Sequence, residues 1–239
     1  VSKLILTNAS KVVDAYQSCF ASIDAFKANG MQVAFMLRHG AKVNSPNPKA
    51  ELSDIGLAQV KAYGDAISHL LVPAIRGRLV FASSTPERNL QTLEGVFGIE
   101  RASIFTPPSL DLINLGPNGE DHIAAQQLAR DRPDLFKNAN EACQHLEEHG
   151  IVRLGETSEA ATLRVRGGIV NMMDRVCRDG RALGISINSP TGNEAAYIFG
   201  VLKELEALIL ARNPKTDTFT LLDRVAPEFA EDPATDSAA

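Results

Sequence analysis

Three short apolar runs, each stopping abruptly at polar residues, set the frame for this chain. MQVAFML ends in charge at Arg38, RLVFASS ends in the serines Ser83 and Ser84, and ALGISI stops just before Asn188. Runs of this length are too short for buried helices and read as strands covered on both faces. Between them the apolar residues fall at helical spacing. Val12, Val13, Tyr16, Phe20, Ile23 and Phe26 predict a helix over residues 9–29, stopped at Gly30. Ser53 is placed to cap a second helix running to about Leu71, and Pro86 and Gly98 bracket a third. Further helices are expected at 121–131, 139–149, 158–178 and from Asn193 to Leu210, with TFTLL as a last strand. Strands alternating with helices predict an α/β fold: a three-layer sandwich with a mostly parallel central sheet flanked by helices.

The same pattern divides the chain into an N-terminal helical extension (1–30), an α/β domain (31–225) and a flexible acidic tail (226–239). The tail is expected because residues from Pro227 onward hold few large apolar side chains. A net charge of −5 argues against nucleic acid or an anionic membrane as the main partner. No apolar stretch approaches the ~20 residues needed to span a bilayer. The opening VSKLILTNASK is too short and too soon interrupted for a signal-peptide core. Three widely spaced cysteines (Cys19, Cys143, Cys177) read as reduced thiols of a cytoplasmic protein, with neither a disulfide framework nor a metal-ligand spacing. The amphipathic helix ahead of the first core strand offers a surface for homo-oligomer assembly.

In open α/β sheets, ligands bind beyond the carboxyl ends of the strands, so the residues that follow each strand are the candidates for chemistry. After the first strand comes Arg38-His39-Gly40. An unprotonated imidazole nitrogen can attack a phosphoryl group, and neighbouring guanidinium groups favour the neutral ring. An arginine fork matches phosphate oxygens two at a time, and a glycine lets backbone approach a ligand closely. In isolation the tripeptide also fits an ordinary surface strand end. After the second strand comes Ser83-Ser84-Thr85-Pro86-Glu87-Arg88, which should turn backbone N–H groups and Arg88 toward the same crevice. Arg88 sits in the first turn of a helix, where the dipole disfavours a cation, so a bound anion and simple solvation are the two readings.

Together these segments resemble the histidine phosphatase superfamily, which includes the phosphoglycerate mutases. The resemblance rests on Arg38-His39-Gly40, on Leu52, Ser53, Gly56, Gln59 and Val60 within LSDIGLAQV, and on Ser83, Ser84, Arg88 and Thr92 within SSTPERNLQT. It implies a phosphoglycerate mutase-like fold and a phosphatase-type reaction in which His39 is transiently phosphorylated. Arg38 and Arg88 would hold the phosphoryl oxygens, with no metal and no cofactor. Gly40, Ser84 and Asn188 would contact the substrate, a small phosphorylated molecule or phosphate ion. Two positions depart from the family pattern. Asn188 stands where a second histidine is usual, and an amide donates a hydrogen bond without bringing charge. The general acid falls in LDLINLGPNGE, with Leu112 at the strict position, Asp111 the first candidate and Glu120 the second. The competing reading is a pseudo-phosphatase that binds a phosphorylated ligand or partner with little turnover.

Overall fold

The computed structural model describes residues 3–43, 50–111, 127–136, 139–149, 158–177, 180–187 and 202–232. The chain begins with β1 (Leu4–Leu6) and α1 (Ala9–Ala28), followed by β2 (Gln32–Arg38), α2 (Asp54–Ile67), α3 (Pro73–Arg76), β3 (Leu79–Ser83), α4 (Glu87–Phe97) and β4 (Ile104–Phe105). A helical stretch at 127–131 precedes α5 (Ala139–Glu148) and α6 (Ser158–Val176). Then come β5 (Ala182–Ile187), β6 (Ala207–Asn213), β7 (Thr218–Val225) and β8 (Phe229–Glu231).

Six strands form the main sheet in the order β4-β3-β5-β2-β6-β7. The first four run parallel, while β6 is antiparallel to β2 and β7 to β6. The expected mostly parallel sheet is therefore found, with an antiparallel pair closing one side. β2 is central and buried along most of its length, which explains its continuous apolar run. Its side chains alternate between two cores. Val33, Phe35 and Leu37 join α1, α2 and α4 on one face, whereas Ala34 and Met36 meet Val165, Ile169 and Met173 of α6 on the other.

The first face is aromatic. Tyr16, Phe20, Phe35, Phe81 and Phe97 pack with ring centroids 4.9–6.3 Å apart, and the buried Tyr63 hydroxyl donates to the Tyr16 hydroxyl. Helix α1 is thus part of the same core as the sheet. Its apolar side is buried within its own chain: Val12, Tyr16, Phe20 and Ile23 are each at most 5% exposed. Close passage of α2 over α4 depends on glycines, since a Cβ on Gly64 would lie 2.3 Å from the Gly95 carbonyl oxygen. That crossing brings the start of α4 against the end of β2.

Two expectations are corrected. The helix predicted from Asn193 to Leu210 does not extend to its end, because Ala207–Leu210 begins β6 and pairs with β2. ALIL is apolar on every side, so its pattern fits a strand buried on both faces as well as a helix. Leu205, at φ +54°, turns the chain sharply just before it. Part of the segment predicted as a tail from 226 is a strand, as Phe229–Glu231 pairs antiparallel with Leu4–Leu6. The earlier part of the predicted 193–210 helix lies outside the described residues.

Candidate active site

Arg38 and His39 leave the sheet at the carboxyl end of β2, and the loop after them is held from behind by α2 and α4. Gly40 N–H donates to the Thr92 hydroxyl (3.2 Å), and Ala41 N–H donates to the Gln59 side-chain oxygen (3.0 Å). Ser53 N–H and its hydroxyl both donate to the Ala41 carbonyl, and the same hydroxyl accepts from Gly56 N–H at the start of α2. A Cβ on Gly56 would stand 2.0 Å from the Ala41 oxygen. Leu52 N–H is taken by the Gln91 side chain. The serine, glycine and glutamine of LSDIGLAQV thus form the brace of the Arg38-His39-Gly40 loop. Gly40 is closely packed too, as a Cβ there would press on the Gly56 oxygen at 3.3 Å with the Val60 and Leu52 side chains just beyond.

His39 is 3% exposed, and its Nδ1 lies 2.7 Å from its neighbour's carbonyl, Gly40 O. A carbonyl only accepts, so Nδ1 carries the proton and donates it. Burial first, then Arg88, and then Arg38 and Lys42 drive the imidazole down to about 3, against the opposing pull of the Gly40 carbonyl. The ring is neutral at physiological pH. Its remaining nitrogen, Nε2, therefore carries a lone pair, the form a nucleophile needs.

Cations surround that nitrogen's ring. Arg38 Nη1 donates to the Leu202 carbonyl (2.6 Å), while its buried Nε has no partner among the described residues. Burial lowers the Arg38 guanidinium, an effect that Glu204 and Glu206 oppose. Arg88 is 4% exposed, its Nη1 donates to the Ala50 carbonyl (3.1 Å), and burial and Arg38 push it down to about 10. Lys42 bridges antiparallel to Leu52 on a short ribbon beside His39, and burial, Arg88 and Arg130 lower its amine. Lys42 and Arg130 were not singled out from sequence. Lys42 lies three residues past His39, a spacing that carried the only available hint, whereas Arg130 reaches the cluster from a distant segment.

The second station is more structural than its sequence suggests. Ser84 is fully buried, with its N–H donating to the Ser186 carbonyl and its hydroxyl accepting from the Asn89 amide (2.7 Å). Thr85 N–H donates to Asp111 Oδ1 (2.9 Å). The Ser84 bonds tie the end of β3 to β5 and α4, and the Thr85 bond ties it to Asp111. Asp111 is brought to this station, and its backbone carbonyl is held by Arg164 of α6 (3.1 Å). β5 ends at Ile187, which pairs with Arg38. Asn188, Leu112 and Glu120 lie outside the described residues.

No family model matches the sequence, and no curated protein is similar to it by sequence. Solved structures are similar in shape. A phosphoglycerate mutase from Bacillus anthracis superposes with a TM-score of 0.57 at 12% identity, covering 82% of this chain and 93% of that one. The fold is phosphoglycerate mutase-like. A mycobacterial glucosyl-3-phosphoglycerate phosphatase gives 0.51 at 16% identity over 80% of this chain and 97% of its own. A phosphoserine phosphatase from Entamoeba histolytica, solved with phosphoserine, gives 0.51 at 10% identity over 80% and 95%. No described helix is long and apolar enough to cross a membrane.

Proposed function

We propose that this chain is a phosphomonoester hydrolase that works through a phosphohistidine at His39. The observation that carries the reading is the tautomer: Nδ1–H is committed to the Gly40 carbonyl, and the ring is neutral among cations. Nε2 attacks phosphorus as the ester P–O bond breaks, and Arg38 and Arg88 hold the phosphoryl oxygens through the transition state. A general acid protonates the leaving oxygen, a role for which Asp111 is the candidate with its Oδ1 on Thr85. Water then attacks the phosphohistidine, which releases inorganic phosphate and returns the neutral imidazole. The phosphatase neighbours in structure support the reaction class.

A second reading is favoured by one residue, Asn188. With an amide where a second imidazolium is usual, one charged donor to the phosphoryl group is missing. Loss of such a donor typically lowers rate by about 10²–10³. The chain would then hold a phosphorylated ligand and turn it over slowly. One experiment separates the two: an aryl phosphate is given to the protein, to His39→Ala and to Asn188→His, with phosphate release and acid-labile protein phosphorylation measured. Turnover that disappears in His39→Ala is the expected result. A silent protein revived by Asn188→His would favour the binding reading. Activity retained in His39→Ala would overturn the phosphohistidine.

A further inference from the structure

The turn at Leu202–Glu206 touches the Arg38-His39 pair at three points. The Leu202 carbonyl accepts from Arg38 Nη1, the Glu206 carbonyl accepts from Arg38 N–H (3.1 Å), and Leu205 N–H donates to the His39 carbonyl (3.4 Å). The turn is strained, since Leu205 is a non-glycine residue at φ +54° with its side chain fully buried. A strained conformation persists only where its surroundings over-determine it. Here the determinant is the Glu206 carboxylate. It is 4% exposed, accepts from Lys203 N–H across the turn (2.6 Å), and takes both Nε and Nη2 of Arg224 from β7.

We infer that Glu206 is a positioning residue for the phosphoryl-binding arginine: locked by Arg224 and Lys203 N–H, it fixes the turn whose Leu202 carbonyl aims the Arg38 fork. An acid this close to an anion site looks misplaced until its pairing is considered. Arg224 and the Lys203 amide occupy both carboxylate oxygens, so Glu206 faces the site through its backbone carbonyl and not through its charged group. Its charge still acts on Arg38 at longer range, together with that of Glu204, and offsets the burial of that guanidinium. The arrangement leaves one Arg38 donor anchored on Leu202 while Nε has no partner among the described residues. This is the division of labour expected of an arginine that must keep a donor for phosphate.

The inference rests on the proposed phosphate site, and its test carries one readout that does not. Glu206→Gln and Arg224→Met are compared with the parent, with Arg224→Lys as the charge-conserving control. The Arg38 Nε–H resonance is followed by NMR in the free protein, and the dissociation constant for vanadate is measured well below each variant's melting temperature. In the parent the Arg38 signal should be distinct and slow to exchange with water. Glu206→Gln and Arg224→Met should lose that protection and weaken vanadate binding on the order of 10-fold, the scale expected when a binding group is displaced by less than about 1 Å. Arg224→Lys should recover part of both. A variant that melts earlier yet keeps the Arg38 signal and binds vanadate within twofold of the parent would overturn the inference. If the parent itself binds no vanadate, the phosphate site is the part that fails, and the Arg38 signal alone decides the role of Glu206.

Discussion

The two ends of β2 handle buried positive charge in opposite ways. At its start, Arg212 is 4% exposed and is met by Asp174 and Asp217, with Gln32 accepting a further bond at 2.8 Å. Burial lowers its guanidinium, but the hydrogen bonds it donates to those two carboxylates outweigh that and raise it. At the other end Arg38, Arg88 and Lys42 crowd one imidazole, and all three cations are lowered. The first arrangement is complete without a ligand and serves to fasten β6 and α6 to the sheet. The second concentrates like charge in a protein whose overall charge is −5. An anion would ease such crowding, which is what the proposed phosphate site would supply.

Substitution should break the two ends differently. Arg88→Ala is expected to lower kcat/KM for an aryl phosphate by about 10²–10³, with a melting temperature equal to or above that of the parent because a like-charge neighbour is gone. A large fall in stability with activity intact would reverse the assignment. Arg212→Met should do the converse, losing about 2–3 kcal/mol in a urea titration while vanadate affinity stays unchanged. That figure lies below the 3–5 kcal/mol usual when a buried pair is broken, because Asp174 and Asp217 are 36% and 42% exposed and regain water.

The smallest effect concerns pH. Unfolded His39 takes a proton near 6.5, whereas the folded ring, lowered to about 3, does not. The unfolded state therefore binds more protons as the solution is acidified, and folding stability falls with decreasing pH from about 6.5 down to about 3. Between pH 6.5 and 5 the parent should lose roughly 1.5 kcal/mol relative to His39→Gln. Matching curves for the two proteins would mean that the folded ring takes up its proton over the same range as the unfolded one, contrary to the lowering by burial and Arg88.

Much of the fold was legible because local signals agreed. The apolar runs at 31–37, 78–84 and 182–187 each became a strand, and the Ser53 cap was found with its hydroxyl on Gly56 N–H. The LSDIGLAQV motif spans the start of α2, yet sequence did not reveal that Gly56 and Gln59 act by bracing the loop at Ala41. Signals failed where tertiary contacts decide. ALIL became a strand because β2 had an open edge beside it, and FAE became one because Leu4–Leu6 supplied a partner more than 200 residues away. A strand-end serine such as Ser84 looks the same in sequence whether it faces a crevice or is bound by Asn89. Arg130 joins the cationic cluster from a separate segment, and spacing in the chain holds no record of that proximity.

The strand order has a consequence for synthesis. β2 is flanked by β5 and β6, whose pairing residues begin at Ala182 and Ala207, while β2 itself ends at Arg38. Both of its neighbours are therefore made more than 140 residues after it. At translation speeds of about 5–20 residues per second, this buried, apolar strand waits on the order of 10–30 s with both edges unpaired. Until then VAFML is a template for any other strand it meets, and the segment that leads into His39 is also one that needs shielding on the ribosome.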